Sequence, residues 1–153
     1  MVFVVSCATP TPSNYSKIEY NAEACFGFCP IFKITVNPDR TAVIDAERFT
    51  FTDGRSKDDF SGPREGIFKT KIKEADHNKL ISLLDDLDLK NLNGYYGNKN
   101  ITDLPTANLR ITFTDGSTKH IEDYGKGGTE KLEELYTFIE DLRKTQTWTR
   151  VAE

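Results

Sequence analysis

Cys25 and Cys29, separated by Phe26-Gly27-Phe28 and followed at once by Pro30, are the residues of this sequence most able to do chemistry. Glycine adopts positive φ without a steric penalty, so a sharp turn at Gly27 can bring the two cysteine Cα atoms within the ~4.4–6.8 Å that a disulfide needs. Pro30 biases Cys29 toward extended backbone, which suits a loop feeding a strand. The same pair can also be two reduced thiols acting as small buried groups, a redox couple, or part of a metal site. A thioredoxin-type couple has two intervening residues and precedes a helix, whereas the residues after Cys29 alternate as a strand. A zinc site would need two further ligands, and Cys7, His77 and His120 are scattered without ligand spacing. No metal and no cofactor is therefore expected.

A second group lies between Leu89 and Pro105, which reads as a long loop. Long loops without structure of their own are often functional. This one carries Tyr95 and Tyr96 between Gly94 and Gly97, and then Asp103. Two adjacent tyrosines can form a contact surface for a ligand or partner, or fold back over a sheet edge as bulk. Carboxylates such as Asp103, with Tyr95 or Tyr96, are candidates for a small hydrolase, for which two carboxylates at suitable separation are the minimum. Asp85, Asp86 and Asp88 lack the spacing of a calcium loop and read as a solvated helix face. Gly-x-Ser-x-Gly, a phosphate-cradling glycine loop and His-rich metal spacing are all missing from the sequence.

The third cysteine, Cys7, follows Met1-Val2-Phe3-Val4-Val5-Ser6 and precedes a Pro/Thr/Ser/Asn stretch. An apolar run ending in a small residue before a cysteine resembles the end of a bacterial lipoprotein signal peptide. The resemblance implies lipidation at Cys7, with the following segment as a tether, since Pro- and Ser-rich runs bury too little surface to fold. Residues 1–14 are accordingly read as a truncated signal and tether, 15–148 as a single domain, and 149–153 as a C-terminal tail. Twenty basic against 24 acidic residues give a formal net charge of −4, which disfavours nucleic acid as a partner. No run of about 18 apolar residues is present to span a membrane as a helix.

The elements that must position these residues follow from periodicity. Tyr15–Ala22 reads as a short strand, and Phe32, Ile34 and Val36 alternate with polar neighbours as a half-buried strand. Asn37-Pro38-Asp39-Arg40 is a turn, and the next strand runs from Thr41 toward Thr52 with a bulge or bend between Ile44 and Phe49. Arg55–Arg64 reads as an exposed loop and Ile67–Ile72 as a strand. Leu80, Leu83, Leu84 and Leu87 give residues 75–89 the stripe of an amphipathic helix. Leu109, Ile111 and Phe113, the turn Asp115-Gly116, and Lys119–Tyr124 form a hairpin, with His120 on a sheet face. Thr129 is placed to cap a last helix carrying Leu132, Leu135, Tyr136, Phe138, Ile139 and Leu142, after which Trp148 docks back. The expected fold class is α+β: a mainly antiparallel sheet of about six strands with two helices on one face.

Cys25-Phe26-Gly27-Phe28-Cys29-Pro30-Ile31-Phe32, Thr102-Asp103-Leu104-Pro105 and Asp115-Gly116 with Lys119 together resemble a bacterial domain family of unknown function, over roughly Tyr15 to Trp148. That family occurs in lipoprotein-like envelope proteins, which implies an address and no activity. The expectation is a lipid-anchored, non-catalytic binding or interaction domain in the bacterial cell envelope, on the periplasmic or surface side. Its partners would be the membrane, through Cys7, and an unidentified protein or small ligand. The alternatives are a thiol-disulfide redox or redox-sensing protein using Cys25 and Cys29, and the small hydrolase.

Overall fold

The computed structural model describes residues 13–52, 54 and 60–152. Its chain order is β1 (Tyr15–Ala22), β2 (Ile31–Val36), β3 (Thr41–Arg48), β4 (Gly66–Lys71), α1 (Glu74–Asp85), a 3-10 turn (Leu89–Asn91), β5 (Tyr95–Tyr96), β6 (Thr106–Phe113), β7 (Thr118–Tyr124), α2 (Glu130–Thr145) and β8 (Thr149–Ala152). The strands form one sheet in the order β5-β7-β6-β1-β2-β3-β4-β8. Every pair is antiparallel except β5 with β7. The fold is α+β as the periodicity indicates, but the sheet is mixed and has eight strands where about six were expected.

The two added strands are both edges. Tyr95–Tyr96 lies in the stretch read as a loop, and is short enough that no alternation can reveal it. Thr149–Ala152 occupies the stretch read as a tail. It is held by backbone pairing to β4, with Ile67 opposite Ala152 and Lys69 opposite Thr149. Arg55–Asp59, within the expected exposed loop, and Cys7 lie outside the described residues.

One sheet face is apolar because the strands alternate. Ile18, Tyr20, Phe32, Ile34, Ala42, Ile44, Leu109, Ile111 and Ile121 all point inward and are almost fully buried. Tyr15 joins them by a bulge between Tyr15 and Lys17 that turns both Tyr15 and Ile18 to the core. Leu80 and Leu84 of α1 meet Leu132, Leu135, Tyr136, Ile139 and Leu142 of α2 over this face. The far face carries Lys17, Glu19, Lys33, Asp45, Arg110 and His120, and is solvated.

The helix ends are specified side chain by side chain. Thr129 accepts the Leu132 N–H at 3.1 Å, capping α2 as its position suggests. Lys73 supplies no side-chain cap to α1. Instead the Gln146 Oε1 accepts the Lys73 backbone N–H at 2.9 Å, and Gln146 Nε2 donates to Asp76 at 2.7 Å, joining the start of α1 to the end of α2. Trp148 docks back by donating Nε1–H to the Leu142 carbonyl at 3.0 Å.

A polar network runs under α2. Asp123, with no exposed surface, accepts the Gly128 N–H at 2.9 Å and the Tyr136 hydroxyl at 3.0 Å on one oxygen. Tyr20 and Lys126 both donate to Glu140 Oε1, at 3.1 and 2.6 Å. Burial first, then the neighbouring carboxylates, push the Tyr20 and Tyr136 hydroxyls well above their ordinary range, so both stay protonated donors.

Candidate functional site

The cysteine loop stands at the end of the sheet where β1 stops and β2 begins. Cys25 and Cys29 are joined by a disulfide with Cα atoms 5.8 Å apart. Gly27 takes φ +141°, the left-handed conformation that the spacing requires. Two backbone bonds hold this loop to the start of β6 and the residues before it: Glu23 N–H to the Thr106 carbonyl at 3.0 Å, and Phe26 N–H to the Asp103 carbonyl at 3.2 Å. The Phe26 ring projects outward with 86% of its surface exposed.

Phe28 turns the other way and begins an aromatic cluster. Its ring stacks on Phe60 at 5.3 Å and meets the edge of Phe49 at 5.3 Å, while Phe49 and Phe60 contact at 5.2 Å. Phe49 reaches this place because the chain leaves β3 through a left-handed residue, φ +55°. That is the bend expected after Ile44, and it ends the strand at Arg48 rather than near Thr52. Phe51 then packs on Phe68 at 4.6 Å and on Trp148 at 6.5 Å. Gly54 closes the turn so tightly that a Cβ there would overlap both the Phe28 and Phe49 rings.

Between these rings and the end of α2 lies a cavity of about 490 Å³, lined by Phe28, Pro30, Phe49, Thr50, Phe51, Thr52, Gly54, Arg143 and Lys144. Its floor is rigid. Glu65 accepts the backbone N–H groups of Thr50 and Phe51 at 2.7 and 2.9 Å, one on each carboxylate oxygen. Arg143 donates through Nη1 to the carbonyls of Phe49 and Thr50 at 3.2 and 3.3 Å, and through Nε to the Glu140 carbonyl. Its guanidinium also lies 6.0 Å from the Phe32 ring centre. The ion pairs of the described residues are Lys17–Glu19, Lys33–Glu19, Arg64–Asp45 and Lys126–Glu140. Among the described residues, then, no carboxylate neutralises Arg143 or Lys144.

The loop residues singled out from sequence are not gathered into one site. Tyr95 is exposed and lines a separate 240 Å³ groove with Lys99, Thr106, Glu122 and Tyr124, the Lys99 ammonium lying 5.1 Å over its ring. Tyr96 turns toward the core, and its hydroxyl accepts the Asn93 N–H at 3.1 Å. Asp103 is exposed, in a left-handed conformation at φ +64°, and touches the cysteine loop through its backbone carbonyl. His120 sits on the solvated sheet face with Nε2 3.2 Å from Asn108 Oδ1. Among the described residues no three His, Cys, Asp or Glu side chains are grouped to hold a metal ion.

Sequence reasoning missed Phe49, Thr50, Glu65, Arg143 and Lys144. The slip in alternation at Phe49 was the signal available for the first two. Nothing local marks Arg143, which reads as an ordinary cation in the last turn of a helix.

Fold and site together define an α+β domain: one sheet covered on one face, with a disulfide-closed loop and an aromatic cleft at one sheet end. The chain belongs to a family described as a domain of unknown function (DUF6438), whose model matches residues 16–143. No curated protein matches it. The match takes in the whole cleft lining up to Arg143.

Proposed function

We propose that this chain is a non-catalytic binding domain whose ligand or partner seats in the cleft beside the cysteine loop. The observation that carries this reading is that Phe28 and Pro30, from the Cys-Phe-Gly-Phe-Cys-Pro motif, line the same cavity as Phe49, Phe51 and Arg143. At about 490 Å³ the cavity falls within the roughly 300–1,000 Å³ of small-ligand sites, and its lining joins aromatic rings to polar groups. The disulfide and the two backbone bonds to Asp103 and Thr106 fix the loop in advance, which lowers the ordering cost of binding.

The address proposed with this function is the bacterial cell envelope, with a lipid on Cys7 as the link to the membrane. The support is the cysteine usage: a Cys25–Cys29 disulfide suits an oxidising compartment. Intact-mass measurement of the protein from its own host tests it. A diacyl increment on a chain starting at Cys7 is expected, and an unmodified Cys7 removes the proposal.

The binding reading is tested by ¹H–¹⁵N NMR of the oxidised protein against a set of small aromatic and aliphatic fragments. Shifts are expected at Phe28, Thr50, Phe51, Thr52, Gly54 and Arg143, and should vanish in Phe28→Ser. Binding that maps to the Tyr95–Lys99 groove instead, with the cleft unmoved, would sink it.

A further inference from the structure

The cleft beside the cysteine loop has walls of one chemistry and a rim of another. Phe28, Phe49 and Phe51 supply aromatic surface, while Arg143 and Lys144 bring two positive charges from consecutive positions on α2. Arg143 spends Nε and Nη1 on three backbone carbonyls, and its Nη2 has no hydrogen-bond partner among the described residues. Those carbonyls also fix the plane of the guanidinium, so its remaining donor is aimed rather than mobile. Lys144 is exposed and makes no ion pair among the described residues. The Glu65 carboxylate, which holds the lining segment, is already occupied by the Thr50 and Phe51 N–H groups. A cation of fixed geometry, unpaired among the described residues and lining the same cavity as aromatic rings, is an arrangement that recognises a planar anion attached to an apolar group.

We infer that the cleft binds a small organic acid: an aromatic ring bearing one carboxylate, with the ring against Phe28, Phe49 and Phe51 and the carboxylate on Arg143 Nη2 and Lys144. This rests on the reading of the cleft as a binding site and adds the chemical class of its ligand. A neutral ligand of the same shape leaves the two charges unanswered, so the carboxylate decides the preference.

The test titrates the oxidised full chain with 3-phenylpropionate and, separately, with its neutral isostere 3-phenylpropionamide, following backbone amides by NMR. The acid is expected to bind about tenfold tighter than the amide, the effect of one charge-assisted hydrogen bond. Both should move the amides of Thr52, Gly54 and Arg143. The preference should shrink in Lys144→Gln, a residue with no structural contact, and fall in 0.5 M salt as screening predicts, on the order of severalfold. Arg143→Lys keeps the charge but loses the fork and should lose most of the preference. Equal affinity for acid and amide overturns the anion class while the binding cleft stands. No movement of the cleft amides by either probe overturns both. Much tighter binding of a tripeptide ending in phenylalanine than of the free acid overturns the small-acid assignment in favour of a peptide end.

Discussion

Glu65 and Thr50 are joined beside the cleft: the Glu65 Oε1 accepts the Thr50 N–H at 2.7 Å while Oε2 takes the neighbouring N–H of Phe51. A carboxylate thus holds the segment that turns out of β3. Removing it leaves two backbone donors to be satisfied by water. Glu65→Ala is expected to destabilise by about 1–2 kcal/mol, charged hydrogen bonds at a partly exposed site being worth less than buried ones. Urea denaturation measures this, and amide exchange at Thr50 and Phe51 should accelerate. Unchanged exchange at both amides would show that the carboxylate does not hold the turn.

Asp123 and Tyr136 are coupled through the hydrogen bond under α2, and Asp123 also holds the Gly128 N–H. Asp123→Ala removes the one oxygen that accepts both bonds at a site with no exposed surface and should cost more than ~2 kcal/mol. Tyr136→Phe should cost about 1 kcal/mol, since the aromatic packing against Tyr20 stays. The double mutant should be less destabilised than the sum, by at least ~0.5 kcal/mol. Strict additivity in chemical denaturation would mean that the two side chains do not act together.

The disulfide closes a loop of about five residues, which in the chain-entropy account stabilises by about 2 kcal/mol. Cys25→Ser with Cys29→Ser should therefore lower the Tm by about 4–8 °C for a chain of this length. Far-ultraviolet circular dichroism should stay the same, because the strands on either side carry their own ladders. Binding in the cleft should weaken, since Phe28 is released. A melting point within about 1 °C of the parent protein would contradict the role assigned to the bond.

His77 lies buried in α1, and its Nε2 has no hydrogen-bond partner. Burial holds its pKa below the ordinary 6.5, with the Asn37 backbone opposing and the Arg40 charge adding to the shift. The native state then binds fewer protons than the unfolded chain, so stability rises with pH. The contribution is fully present above the unfolded pKa of 6.5 and is lost as pH falls through the lower folded value. Unfolding free energy measured between pH 5 and 7.5 should have a steeper positive slope in the parent protein than in His77→Gln. Parallel slopes would rule the residue out as the source.

Much of the sheet was legible because β2, β3 and β6 alternate strictly, and a buried face imposes that alternation. The disulfide was legible from Gly27, since one glycine midway between two cysteines is a local signal. The edges were not. Tyr95–Tyr96 is too short to show a repeat, Thr149–Val151 are exposed, and both edges are held by backbone bonds that leave no trace in residue type. The cleft was hidden for a different reason. Arg143 reaches Phe49 and Thr50 across most of the chain, and only the packing of α2 on the sheet brings them together. Tyr95, Tyr96 and Asp103 drew notice as a loop cluster, yet proximity along the chain did not converge their side chains.

The central place of β1 governs the order in which the molecule can be completed. Ile18 pairs with Val36 on one side and with Ile111 on the other. The first four strands form a local meander, but one flank of β1 keeps its raw backbone donors and acceptors until residues 106–113 arrive. Such distant pairing slows closure, and an uncovered strand flank is a template for a foreign strand. A chain halted before Thr106 would therefore present Tyr15–Ala22 as a sticky border, and self-association of that fragment is the hazard built into the topology.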